Sequence, residues 1–215
     1  MSSPGDRPTL NLGGLRLPLR ETVVVLVCTF VLLIDYYHLL GLTADPTLSR
    51  GIQRVALFLG VPVITLLLLG ERPSAYGLRL GNWRIGVPLM IGAMLLATPP
   101  ILVVSGLPDF IGYYGGKGPS LVPELIGHGI DVAAAEFLFR GFLMWTLIGI
   151  AGPVGVVLAT LPFVFSHLGK PELETLTTFF GGLVFGWMAW RTRSVVYGGL
   201  LHVYLISLIV LAATR

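Results

Sequence analysis

Five ionisable residues, Glu124, His128, Asp131, Glu136 and Arg140, fall inside the otherwise apolar run 121–149. A charge near the centre of a bilayer costs at least about 2.5–3.5 kcal/mol, so each is a candidate for function. At helical spacing Glu124, His128, Asp131 and position 135 follow one another at three or four residues and share one face. That face must look into protein or a wet cavity rather than lipid. Glu136 and Arg140 are four apart with the acid first, which lets them pair along the helix. Two more histidines, His167 beside Ser166 and His202, lie in later apolar runs. A lone histidine at such depth serves equally well as a hydrogen bond between helices. Polar groups on three runs together point to a site. In the first run Asp35 and His38 stand among Tyr36 and Tyr37 and read as an interfacial polar and aromatic belt.

The chemistry open to such a set is that of carboxylates and histidines, which can activate water and stabilise an oxyanion in a dry pocket. No His-Glu-x-x-His stretch, Gly-x-Ser-x-Gly elbow or Gly-rich phosphate loop occurs. Cys28, the one cysteine, has no base in its own segment and can form no intrachain disulfide.

These residues need helices to hold them. Of 215 residues, 54% are hydrophobic and 12% charged, with a mean hydropathy of +0.86. Soluble domains carry about a quarter of their residues charged. A chain with half that cannot coat a globule, so a soluble enzyme, a coiled coil, collagen and disorder are excluded. The scattered net charge of +3 gives no footing to a nucleic-acid partner.

Runs of about 20 apolar residues span a bilayer. Seven are predicted, at 22–42, 55–70, 84–106, 121–149, 154–168, 173–190 and 195–213, giving an all-α polytopic bundle of about seven transmembrane helices. The first reads as an uncleaved anchor, and the loops are too short for a soluble domain. Arg7, Arg16, Arg20, Arg72, Arg79, Arg84, Arg191 and Arg193 fall on one side if the spans alternate; Arg50, Arg54, Lys117, Lys170 and Arg215 fall on the other. The positive-inside rule then predicts a cytoplasmic N-terminus.

The stretch Ala135-Glu136-Phe137-Leu138-Phe139-Arg140-Gly141 resembles the Glu-Glu-x-x-x-Arg signature of the CAAX protease and bacteriocin-processing (CPBP) family of intramembrane endopeptidases. Phe163-Val164-Phe165-Ser166-His167 is similar to its Phe-x-x-x-His motif. His202-Val203-Tyr204-Leu205-Ile206 resembles the opening of its third motif, a His followed four residues later by Asn or Asp. The order and the separations agree, and the linker 74–79 is also similar, so the resemblance covers roughly 71–207 within one integral-membrane domain, 1–215.

That resemblance implies a glutamate-type protease in which His167 helps to activate water, His202 stabilises the oxyanion, and Glu136 with Arg140 forms a supporting salt bridge. His128 and Asp131 are expected to line the cavity. With two histidines and Asp131 as the only donors, no metal is expected, and no cofactor. The implied partners are the lipid bilayer and a membrane-anchored protein or peptide: a prenylated tail, a leader peptide, or a C-terminal sorting tail as for a myxosortase. A prokaryotic inner membrane is the implied location.

Two positions depart from the pattern. Where the family's water-activating glutamate stands this chain has Ala135, and where Asn or Asp is usual it has Ile206, followed by Ser207. A methyl group cannot take a proton from water, and losing a general base costs about 10²–10⁴ in rate. A replaced catalytic glutamate and a natural pseudoprotease both account for Ala135, and the polar face kept around it favours the former. Glu136 as the base itself is the third reading, about 100° away around the helix.

Overall fold

The computed structural model describes residues 8–37, 41–115 and 121–214. Arg7, His38, Lys117, Arg215 and the side chain of Glu124 lie outside the described residues. A two-stranded antiparallel hairpin, β1 (Thr9–Leu12) and β2 (Leu15–Pro18), precedes the helices; the sequence reading had no strand here. Eight helices follow among the described residues: α1 (Leu19–Tyr37), α2 (Pro46–Leu68), α3 (Trp83–Val104), α4 (Pro108–Tyr114), α5 (121–151), α6 (Val154–Phe165), α7 (Glu172–Thr192) and α8 (Val196–Ala213).

The class is all-α, and the protein is a multi-pass membrane protein. Four helical segments are long and apolar enough to cross a bilayer: Pro46–Leu68, Trp83–Val104, Leu125–Ala151 and Val196–Ala213. Seven were expected. Helix α6 has 12 residues, fewer than a straight crossing needs. Helices α1 and α7 have 19 and 21 residues but carry charges, Arg20, Glu21 and Asp35 in one and Glu172, Glu174 and Arg191 in the other.

Helix α2 begins nine residues before the predicted run, within a stretch read as a loop. Asp45 is the reason: its carboxylate accepts from the Leu48 amide at 2.9 Å, and Pro46 occupies the first turn, where a missing N–H costs nothing. Two glycines then let α2 and α5 touch backbone to backbone. A Cβ on Gly51 would sit 2.7 Å from the Gly127 carbonyl oxygen, and one on Gly127 2.8 Å from the Thr47 backbone. Such small-residue contacts are how helices associate where no water drives them together.

Helices α2 and α5 are each interrupted by π-helical turns, at Val55–Gly60 and Phe137–Leu143. All seven residues of the second are buried. Single-turn departures of this kind occur most often at functional positions.

Polar contacts sort the helix ends into two groups. At one end, Arg20 at the start of α1 pairs with Glu71 after α2 at 3.0 Å. There the Val195 amide donates to the Gly77 carbonyl at 3.0 Å, and the Arg193 guanidinium lies 4.9 Å from the Trp145 ring centre. At the other end, Tyr114 of α4 donates to Glu174 of α7. A Cβ on Gly115 would lie 2.8 Å from the Ala213 carbonyl at the close of α8. The main apolar core surrounds Phe137–Met144, and a smaller one holds Phe110, Tyr114, Val132, Ile206 and Val210.

Candidate active site

Glu136 closes the α-helical part of α5, and the π turn after it carries Arg140. Arg140 Nε lies 3.7 Å from Glu136 Oε2, with the two side chains 2% and 1% exposed. The pair expected from the spacing is present, but loose. Further contacts offset the burial of this cation. Arg140 Nη2 donates to the Gly182 carbonyl of α7 at 3.4 Å. Its guanidinium also sits 3.7 Å from the Phe163 ring centre and 5.5 Å from that of Phe185, within cation–π range.

Helix α8 comes up to Glu136 through Gly198 and Gly199; a Cβ on Gly198 would lie 3.4 Å from Glu136 Oε2. This approach brings His202 Nδ1 to 2.9 Å from Glu136 Oε1. A carboxylate accepts, so Nδ1 donates and the ring turns its Nε2 edge away from Glu136. His167, in the turn after α6, has Nδ1 2.8 Å from the Phe163 carbonyl oxygen. A carbonyl also only accepts, so Nδ1 carries the proton, and neutral His167 keeps its lone pair on Nε2. The two imidazoles lie 6.5 Å apart, their planes within 18°.

Both histidines line a cavity of about 490 Å³, together with Phe163, Phe185, Ile206 and apolar residues of α3 and α8. Lys170 and Glu174 line it too. Lys170 Nζ is 2.9 Å from Glu174 Oε1, and Tyr114 OH donates to both Glu174 oxygens at 2.9 and 2.7 Å. The chamber is thus apolar along most of its wall, with imidazoles at one place and a paired cation at the end that holds α4.

The remaining sequence candidates lie elsewhere. Ala135 is 6% exposed and packed in the main core, outside the cavity lining. His128 and Asp131 are not among the residues that line the cavity either. The His128 ring lies 6.4 Å from that of Tyr114. Asp131 meets Arg54 Nη1 at 2.5 Å, and Arg54 Nη2 meets Asp35 at 2.7 Å, so one arginine ties α1, α2 and α5 together. Tyr36 and Tyr37 are 80% and 71% exposed, whereas Asp35 belongs to this ion-paired group.

Sequence reading missed that cluster. The signal was an arginine directly before the apolar run 55–70, where only an acid partner makes it affordable. It also missed the Glu136–His202 bond, which no spacing within one helix could give. Among the described residues no three His, Cys, Asp or Glu side chains group as a metal site.

Long apolar helices around a buried carboxylate–histidine set define a multi-pass membrane protein with a polar site inside the bundle. Residues 121–206 match the family model described as type II CAAX prenyl endopeptidase, Rce1-like. This stretch is therefore similar to the CAAX-protease (CPBP) family, a family of glutamic-type intramembrane endopeptidases. It is less than half of the chain and contains Glu136, Arg140, His167 and His202. No curated protein and no solved structure matches the chain.

Proposed function

We propose that the chain is an intramembrane endopeptidase that takes a segment of a membrane-anchored protein or peptide into the cavity, and that Ala135 holds it at low turnover. The observation that carries this is two imidazoles on one cavity wall, each with Nδ1 already engaged, His167 by a carbonyl and His202 by Glu136. His167 Nε2 is free to take a proton from water as its oxygen attacks the amide carbon. Once it carries a proton on both ring nitrogens, His202 donates from Nε2 to the oxyanion, with the Glu136 carboxylate held at Nδ1. The amine leaves with the proton that water gave up, and the C–N bond breaks. Arg140 holds Glu136 in place. A glutamate at position 135 would add a second general base, worth about 10²–10⁴ in rate.

The arginines at the end of α2, the start of α3 and the α7–α8 turn support a cytoplasmic N-terminus in a prokaryotic inner membrane, with seven crossings once α1, α6 and α7 are counted. Lys170 and Glu174 would then face outward. That placement suits a C-terminal sorting tail better than a prenylated tail or a leader peptide. The second reading, favoured by Ala135 alone, is a pseudoprotease that binds or escorts a membrane partner without cutting it.

The test compares this chain, its Ala135→Glu variant and a His167→Ala, His202→Ala blank in the host membrane by mass spectrometry of protein termini. New termini that grow with Ala135→Glu and vanish in the blank support the protease. Termini indistinguishable among all three, with a partner co-purifying equally, leave the pseudoprotease.

A further inference from the structure

A second concavity lies at the opposite end of the molecule from Lys170 and α4. It is a shallow basin of about 630 Å³ lined by Arg79, Asn82, Trp83, Arg84, Thr192 and Arg193. Its floor is built rather than loose. The Asn82 amide donates to the Thr192 carbonyl at 2.8 Å, Arg79 Nε donates to the Arg193 carbonyl at 3.1 Å, and Ser194 Oγ donates to the Arg79 carbonyl at 2.5 Å. Gly81, at φ +56°, presses against the Thr192 carbonyl so closely that a Cβ has no room. Arg193 itself holds a left-handed φ of 58°, a conformation that costs a non-glycine residue energy. Two loops are thus clamped together with three guanidinium groups around one hollow.

Those three groups have no acid. All three are exposed, whereas among the described residues the buried and half-buried cations are each answered by a carboxylate: Arg20 by Glu21 and Glu71, Arg54 by Asp35 and Asp131, Arg140 by Glu136, Lys170 by Glu174. Arg79, Arg84 and Arg193 pair with none of the described acids. Forks of this kind match phosphate oxygens two at a time. The basin's surroundings place it at the membrane boundary. Trp83 and Leu80 are 60% and 70% exposed, Arg84 lies 5.4 Å from the Trp83 ring centre, and α3 then runs without a charge from Ile85 to Val104. Amphipathic rings and basic groups at that depth contact headgroups on one side and acyl chains on the other.

We infer that this basin is a binding site for the phosphate of an anionic phospholipid, held by Arg79, Arg84 and Arg193 with its chains along Trp83 and Leu80. The site is separate from the cavity of the two histidines and does not depend on what that cavity does. A lipid seated there would brace the junction from which α8 starts, the helix that carries His202.

The test uses the full chain purified in a neutral detergent and titrated with phosphatidylglycerol, phosphatidylcholine or inorganic phosphate, with bound adducts counted by native mass spectrometry. Saturable binding of one phosphatidylglycerol is expected. It should weaken about tenfold or more in the Arg84→Gln, Arg193→Gln variant, since each basic group near the surface contributes about 1 kcal/mol. It should persist in the Arg16→Gln, Arg72→Gln variant, which removes equal charge outside the basin. A thermal melt in the same detergent confirms that each variant is folded; if the double variant is not, Arg84→Gln alone is read. Equal retention of phosphatidylcholine, equal loss in the Arg16 and Arg72 control, or inorganic phosphate displacing the lipid at equal concentration would each overturn the assignment. The last outcome would make free phosphate the ligand.

Discussion

Glu136 divides its two carboxylate oxygens between His202 at 2.9 Å and Arg140 at 3.7 Å, all within an apolar interior. Breaking a buried pair by removing one partner leaves an uncompensated charge, at a cost of about 3–5 kcal/mol. Glu136→Gln should therefore lower the unfolding free energy by that order, read by thermal or denaturant unfolding in detergent. The Glu136→Gln, Arg140→Met double variant should lose less than the two singles together, because the charge left stranded by each single change is gone. Additive losses would mean that the two side chains do not share an ion pair. The motif spacing made Glu136 and Arg140 legible as partners, since both stand on one helix. His202 lies 66 residues further on, and its bond to Glu136 rests on how closely Gly198 and Gly199 let α8 approach.

Periodicity and composition revealed the helices, and their ends agree with the apolar runs to within a few residues for α3, α6, α7 and α8. The hairpin at Thr9–Pro18, the early start of α2 and the π turn at Phe137–Leu143 were not legible. A hairpin of two four-residue strands lacks a long enough alternation, and the N-cap at Asp45 sits in a stretch whose polarity resembles a loop. A π turn leaves no compositional mark at all. Where α2 meets α5, the Gly127→Leu change should force the backbones apart and cost about 1–3 kcal/mol or more as overpacking, whereas Gly112→Ala, which meets nothing within 4 Å, should leave the melt unchanged. The ion cluster joining α1, α2 and α5 makes a graded prediction. Arg54→Met strands two carboxylates, Asp35 and Asp131, so it should destabilise more than Asp131→Asn, which leaves the Arg54–Asp35 pair whole. An equal loss for both in the same unfolding assay would show that the cluster is solvated rather than buried.

At the scale of the molecule the two ends differ in charge, and the difference has a consequence for function. Arg72, Arg79, Arg84, Arg191 and Arg193 stand without acid partners among the described residues at the end where α2 finishes and α8 begins, while Lys170, at the other end, is neutralised by Glu174. Arginines flanking the spans are enriched on the cytoplasmic side. On the proposed orientation the end with α4 and Lys170 faces outward, and a substrate would reach the histidines from that side. Cysteine labelling tests this directly, because Cys28, the sole native thiol, is 3% exposed and gives little background. Ser74 and Glu172 are both exposed, one at each end. A membrane-impermeant maleimide applied to intact spheroplasts should label the Glu172→Cys variant and leave Ser74→Cys unlabelled until the membrane is permeabilised. The reverse pattern would turn the cavity toward the cytoplasm. An outward sorting tail would then be the wrong class of substrate, and a prenylated or leader-bearing cytoplasmic chain the better one. Labelling of both sites before permeabilisation would deny an odd number of crossings between 74 and 172, and with it the seven-helix topology.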